Sequence, residues 1–173
     1  MLLNENRSKV QRYFDEVINL GDLDLAEELF SPDYVRRELG LPEGHQGPEV
    51  IRTFVRLWRK LSPDAQVVVE ELMAAEGNKV VSQWTARGHL ADELHNDLST
   101  GDQLIVSGIS IFSFSEDGLI TSTDEIIQSH GVTTPPQRIR DYLREDPQFH
   151  QMTEEETDPW LEPFGFCRWC RCC

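Results

Sequence analysis

The chain has 173 residues, of which 39% are hydrophobic, and a formal net charge of -15. This length is sufficient for one domain with a buried core plus an extension, and the negative charge disfavours binding to phosphate backbones. No apolar run is long enough to span a membrane and the N-terminus lacks a secretory signal pattern, so the sequence predicts a cytoplasmic protein.

Three helices are predicted in the first part of the chain. The first ends at Gly21, the second at Ser31-Pro32 and the third, which begins at Pro48, at Ser62-Pro63. Each has apolar residues at helical spacing, namely Val10, Tyr13, Phe14, Val17 and Ile18; Leu25 and Leu29; and Ile51, Phe54, Val55 and Trp58. A short strand is predicted from Tyr34 to Glu38.

After Pro63 the hydrophobic period changes to that of strands. The predicted strands are residues 66–75, 79–89, 104–114 and 119–128, with turns at Glu76-Gly77-Asn78 and at Ser115 to Gly118. Helices followed by an antiparallel meander predict an α+β fold, in which a curved antiparallel sheet packs over the N-terminal helices.

The composition changes near Pro135. We therefore predict a folded domain over residues 1–134, an acidic linker over 135–163 and a tip rich in cysteine and aromatic residues over 164–173. All four cysteines fall in the tip, at Cys167, Cys170, Cys172 and Cys173. Because free thiols stay reduced in the cytoplasm, a structural disulfide framework is not expected there.

Several stretches in the predicted domain have a familiar order and spacing. They are Gly21 to Tyr34, Gly47-Pro-Glu49, Trp84 to Gly88, Thr100-Gly101, Gly108 to Phe112 and Glu116 to Ile120. In this order the chain, from about Asn4 to Thr134, resembles the SnoaL-like polyketide cyclases. The resemblance implies a conical half-barrel with three helices closing a pocket, and it makes a homodimer a fair expectation.

The resemblance also implies a site that this sequence does not reproduce. Catalytic members use a carboxylate on the last strand as general acid/base, often with a histidine on the second long strand. By ungapped counting from Gly118 the family carboxylate falls on Gln128, and the family histidine, which stands in a Gly-Thr-His context, falls on Leu90. Since an amide cannot exchange a proton at neutral pH, the sequence favours a protein that is not an enzyme.

Other residues remain candidates if the chain is an enzyme. His89 stands one residue before Leu90, on the opposite face of a strand. A shift of register would bring Asp124 or Glu125 to the pocket as a base; otherwise one is exposed and the other pairs with an arginine. Arg36 and Arg37 could bind a carboxylate. The predicted pocket-lining residues are Tyr34, Trp58, Trp84 and Gln128, although core packing explains the tryptophans equally well.

The cysteine tip has four interpretations. It resembles the core of a ribosomally made, post-translationally modified peptide, with the domain as its leader. Cys167 and Cys170 form a chelating pair to which Cys172 and Cys173 could add thiolates, but adjacent cysteines suit a regular zinc site poorly. A Cys-x-x-Cys spacing also allows redox chemistry. The fourth interpretation is a tail without function.

Three functions follow from these observations. The leading prediction is a non-catalytic folded leader that docks peptide-modifying enzymes on its C-terminal core. The first alternative is a small-molecule cyclase, isomerase or hydro-lyase, and the second is a protein that binds a metal or a small apolar ligand. No cofactor is predicted.

Overall fold

The computed structural model describes residues 2–38, 46–92, 103–130, 141–142, 145 and 147. Helix α1 (Leu2–Arg12) continues into a π-helical segment (Tyr13–Asn19). Then follow α2 (Leu25–Leu29), β1 (Phe30–Glu38), α3 (Glu49–Leu61), β2 (Gln66–Ala75), β3 (Lys79–His89), β4 (Gln103–Phe114) and β5 (Ile120–His130). The predicted α+β class is confirmed.

The sheet is mixed, whereas the sequence predicted an antiparallel one. Its strand order is β1-β5-β4-β3-β2, in which β2 to β5 form the expected antiparallel meander and β1 pairs parallel to β5. The parallel pair arises because β1 precedes α3 in the chain. Helix α3 carries the chain to the opposite edge of the sheet, where β2 begins the meander that returns to β1.

The predicted strand bounds agree closely with the structure except in β1. The bounds of β2 and β3 are as predicted, and those of β4 and β5 differ by one or two residues. Strand β1 begins at Phe30 rather than Tyr34 and includes Pro32. A proline is tolerated there because β1 is an edge strand, and its pairing with β5 is irregular between Phe30 and Val35.

The core lies between the helices and one face of the sheet. In β3 the residues at even positions from Val80 to Ala86 are buried, while Gln83 and Thr85 face outward and donate hydrogen bonds to Glu70. Since this alternation fixes which face each residue occupies, it also determines which side chains of β4 and β5 reach the interior.

No helix in the described parts of the chain is long and apolar enough to cross a membrane. The predicted linker and tip lie outside the described residues, apart from 141–142, 145 and 147.

Candidate active site

A small aromatic cavity lies between the helices and the inner face of the sheet. Its lining residues are Tyr13, Phe14, Ile18, Arg36, Phe54, Trp58, Val67, Trp84, Val106, Glu125 and Ile127. The cavity is small: the volume open to the centre of a water molecule is about 20 Å³. That volume has room for about one or two water molecules. The predicted pocket residues Trp58 and Trp84 both belong to this lining.

An ion pair between Arg36 and Glu125 borders the apolar cavity. Arg36 Nη2 lies 2.7 Å from Glu125 Oε2, and the two side chains are only 7% and 5% exposed. The guanidinium of Arg36 also lies over the ring of Phe54, with Cζ 3.9 Å from the ring centroid. Burying either charge alone would be costly, so each requires the other.

The other oxygen of Glu125 accepts a hydrogen bond from the sheet. Ser110 Oγ on β4 donates to Glu125 Oε1 over 2.9 Å, and Trp84 Nε1 on β3 donates to Ser110 Oγ over 2.9 Å. Both hydrogen bonds are buried. The carboxylate is therefore held from two sides, by β1 through Arg36 and by β4 through Ser110.

Two buried tyrosines lie close to the ion pair. Burial raises the pKa of Tyr13 well above its ordinary value, and burial likewise raises the pKa of Tyr34. Tyr34 is 1% exposed and packs edge-on against Phe30, with 4.7 Å between ring centroids. It is not among the residues that line the cavity. Both phenols stay neutral at physiological pH, so they add no charge to the site.

Alternation along β5 separates the predicted site residues. Glu125 and Ile127 face the cavity, whereas Gln128 is exposed. Asp124 also lies on the outer side, where its Oδ1 is 2.7 Å from Arg37 Nε. The ungapped count from Gly118 thus reaches a residue on the solvent side of the strand, and the carboxylate on the cavity side is Glu125.

His89 lies away from the cavity, at the end of β3. Its ring Nδ1 is 2.7 Å from Asp64 Oδ2, and its backbone N–H donates to Asp64 Oδ1 over 2.7 Å. The side chains of His89 and Asp64 are 55% and 56% exposed, whereas Leu90 is buried. The hydrogen bond from His89 lowers the pKa of Asp64. His89 therefore lies at the surface, apart from Glu125.

Sequence reasoning did not identify Ser110 as a functional residue. The only sequence signal is its position: a serine in the inward-facing row of β4, between the small Gly108 and the buried Phe112. Arg36 carried a clearer signal, because it follows the apolar Tyr34 by two residues in a predicted strand.

The predicted thiol site, formed by Cys167, Cys170, Cys172 and Cys173, lies outside the described residues. Within the described ranges, no three histidine, cysteine, aspartate or glutamate side chains gather where they could hold a metal ion.

The fold and cavity define a class: α+β domains in which helices close an interior cavity against a mixed sheet. A family model described as a SnoaL-like domain matches residues 10–123, which is more than half of the chain. The chain therefore belongs to the SnoaL-like family, as the sequence resemblance indicated. Among curated proteins, none matches the chain.

Solved structures of similar proteins have the same fold. One, from Jannaschia sp. CCS1 and assigned as a SnoaL-like polyketide cyclase, is 22% identical with a TM-score of 0.61, covering 73% of this chain and 88% of its own. IdmH from Streptomyces antibioticus, assigned as a polyketide cyclase, is 23% identical with a TM-score of 0.60, covering 75% and 94%. AclR from Streptomyces galilaeus, assigned as a hydroxylase, is 19% identical with a TM-score of 0.59, covering 80% and 85%.

Proposed function

We propose that the domain is an acid–base enzyme for a small carbonyl compound, with Glu125 as the base. The observation that carries this proposal is the position of Glu125: a carboxylate 4% exposed, on the last strand, beside an aromatic cavity. A buried ion pair adds little net stability, because desolvation of the two charges offsets most of their attraction. A carboxylate next to an apolar cavity is suited to proton transfer at a bound carbonyl compound.

The chemistry needs two groups, and the cavity has both. Glu125 would remove a proton from the carbon next to a carbonyl, and the electron pair of that C–H bond would move onto the carbonyl oxygen as an enolate. Arg36 carries the positive charge that would stabilise this oxygen. After the enolate carbon attacks a second carbonyl of the substrate, Glu125 would return its proton to the new alkoxide.

The assigned reactions of related structures support this proposal. IdmH and the Jannaschia protein are assigned as polyketide cyclases, and that reaction class is of the kind described above. At 22–23% identity they share the fold with this chain, and Glu125 on the last strand supplies the carboxylate that such a reaction requires.

The test uses acetone, a carbonyl compound with about the volume of two water molecules, whose exchange reaction requires only a base. In heavy water a carboxylate removes a proton from the α-carbon to give the enolate, the enolate takes up a deuteron, and proton NMR follows the loss of the methyl signal. We expect the purified chain to accelerate this exchange, and Glu125→Gln to lower the rate by about 100-fold, the usual contribution of a positioned base.

Asp124→Asn is the matched control. Asp124 is the neighbouring carboxylate, it is also paired with an arginine, and it lies on the outer face of the sheet. This variant should keep the wild-type rate. Equal rates for Glu125→Gln and the wild type would refute the proposed base, and an equal loss in both variants would indicate a general effect on folding.

A second function is favoured by the distribution of cysteine. All four cysteines lie in the last seven residues, next to Trp169 and Phe166, and the chain before them has none. The cavity, with room for about one or two water molecules, is also narrow for a multi-ring substrate. We therefore propose, as the second candidate, that the domain is the folded leader of a modified peptide and docks peptide-modifying enzymes.

Mass spectrometry tests this second function. The chain is co-expressed with its neighbouring genes and digested, and the mass of the C-terminal peptide is compared with that from the chain expressed alone. A mass change confined to that peptide and absent from a variant with all four cysteines changed to serine is expected. An unchanged mass under co-expression would contradict the leader function.

A further inference from the structure

We infer that Ser110 and Trp84 are positioning residues that orient the carboxylate of Glu125 beside the cavity through its Oε1 atom. The inference rests on the proposed function, because it names the residues that hold the proposed base in place. It depends on the direction of two buried hydrogen bonds, which the chemistry of the side chains determines.

The direction of the hydrogen bonds follows from the donors available. The indole Nε1–H of Trp84 can only donate, so Ser110 Oγ must act as the acceptor in their 2.9 Å contact. The single proton of the Ser110 hydroxyl is then available for the second contact, with Glu125 Oε1 at 2.9 Å. Oε1 is therefore the acceptor of a hydrogen bond whose donor, Ser110, is itself fixed by Trp84.

Oε2 has a different environment. It lies 2.7 Å from Nη2 of Arg36, in an ion pair. The carboxylate of Glu125 is therefore held at both oxygens, by the neutral donor Ser110 at Oε1 and by the cation of Arg36 at Oε2, and this fixes its orientation beside the cavity.

The glycine at position 108 keeps Trp84 in the required place. Trp84 and Gly108 are paired across β3 and β4, and a Cβ atom at position 108 would lie 2.5 Å from Cζ2 of the indole. The indole therefore packs against the backbone of β4 at Gly108, and its Nε1 reaches Ser110, two residues further along the strand. Any larger residue at position 108 would displace the donor of the first hydrogen bond.

Solution NMR of the indole groups tests the hydrogen-bonded chain without a substrate. We expect Glu125→Gln to shift the Trp84 Nε1–H resonance in the wild-type background, because the charge of Oε1 polarises Ser110 and, through it, the indole. In a Ser110→Ala background, Glu125→Gln should shift the resonance by no more than about a fifth as much. The smaller shift is expected because the effects of two substitutions are non-additive when the residues interact, here through Ser110. Trp84→Phe assigns the signal.

Ser82→Ala is the control background. Ser82 is buried, is paired with Ser110 across the sheet and donates only to the backbone oxygen of Ser110. It should leave the full shift on Glu125→Gln. If Glu125→Gln does not fold, Glu125→Asp, which withdraws the carboxylate by one methylene group, replaces it. Equal shifts in the wild-type and Ser110→Ala backgrounds would overturn the inference.

The kinetics of deuterium exchange into acetone then separate positioning from binding. Ser110→Ala should lower kcat by about tenfold with little change in KM, as expected when a hydrogen bond to the base is lost. Unchanged kcat in Ser110→Ala, with kcat lost in Glu125→Gln, would overturn the positioning role and leave the proposed function intact. If instead Glu125→Gln has the wild-type rate while the NMR coupling is present, the proposed function fails and the hydrogen-bonded chain remains.

Discussion

At the scale of single residues, two consecutive arginines and two consecutive carboxylates make the same contact on opposite faces of the sheet. Arg36 and Glu125 meet in the interior, and Arg37 and Asp124 meet at the surface, each pair at 2.7 Å. The two pairs differ in exposure, since the side chains of the outer pair are 48% and 25% exposed. Their energetic contributions should therefore differ widely.

We expect Arg36→Ala to lower the free energy of unfolding by about 3–5 kcal/mol, because it leaves the carboxylate of Glu125 buried without a counter-charge. Arg37→Ala, the matched surface change, should cost about 1 kcal/mol or less. Urea unfolding followed by tryptophan fluorescence measures both. Adding Glu125→Gln to Arg36→Ala should restore part of the loss, and similar losses for the two arginine variants would contradict this account.

The Asp64–His89 pair should make stability depend on pH. The hydrogen bond from His89 lowers the pKa of folded Asp64 below its ordinary value of 3.8. A lowered folded pKa means that the pair stabilises the protein above pH 3.8 and that this contribution is lost as the pH falls through the folded pKa.

The measurement compares wild type and Asp64→Asn by urea unfolding. Near neutral pH the wild type should be more stable by about 1 kcal/mol or less, because both partners are more than half exposed. The difference should close on acidification below 3.8. A stability difference between wild type and Asp64→Asn that grows on acidification would contradict a lowered pKa for folded Asp64.

The sequence predicted which residue types form the site, a carboxylate and an arginine, better than it predicted how they are arranged. The sequence indicated that either Asp124 or Glu125 could reach the pocket and that one could pair with an arginine. It did not indicate Glu125 in particular, because the face of a β5 residue depends on where the strand pairs with β1 and β4. Ser110 was missed for a similar reason: a serine in a strand carries no sign of what lies across the sheet.

At the scale of secondary-structure elements, the end of the π-helical segment is attached to the edge strand β2 by one side chain. Asn19 Nδ2 donates to the backbone oxygen of Val67, and its Oδ1 accepts from the backbone N–H of Val67, both over 2.8 Å. The amide of Asn19 thus pairs with β2 as a neighbouring strand would.

We expect Asn19→Ala to lower the free energy of unfolding by about 1–3 kcal/mol, since both hydrogen bonds are part-buried and their partners would lack a replacement. Asn19→Asp keeps the acceptor and loses the donor, so it should fall between wild type and Asn19→Ala. Gln11→Ala, on the exposed face of α1, is the control and should change stability little. If Asn19→Ala left the free energy of unfolding unchanged, this would contradict the role of Asn19 in attaching the π-helical segment to β2.

The elements themselves were largely predictable. Alternating hydrophobicity predicted the bounds of β2 and β3, and helical spacing predicted the apolar face of α3 and the face that α1 shares with its π-helical continuation. The parallel pairing of β1 was not predictable, because local patterns describe a strand and not its neighbour. The early start of β1 was hidden by Pro32, which usually breaks structure and is tolerated here only at a sheet edge.

At the scale of the whole molecule, the net charge of -15 should oppose compaction. We expect the Tm to rise by a few degrees on adding sodium chloride, because the Debye length falls from about 30 Å at 0.01 M to about 8 Å at 0.15 M. Differential scanning calorimetry at several chloride concentrations measures this. Sulfate is avoided because it stabilises proteins by exclusion from their surface. A fall in Tm would mean that surface ion pairs outweigh the repulsion.

The sequence by itself determined the fold class, the family and the order of helices and strands, because these depend on hydrophobic period and on motifs read along the chain. The tertiary structure alone decided which carboxylate faces the cavity. Strand alternation gives each residue a face relative to its neighbours, but only the pairing of β5 with β1 and β4 turns Glu125 inward to Arg36 and Ser110 and leaves Gln128 in solvent.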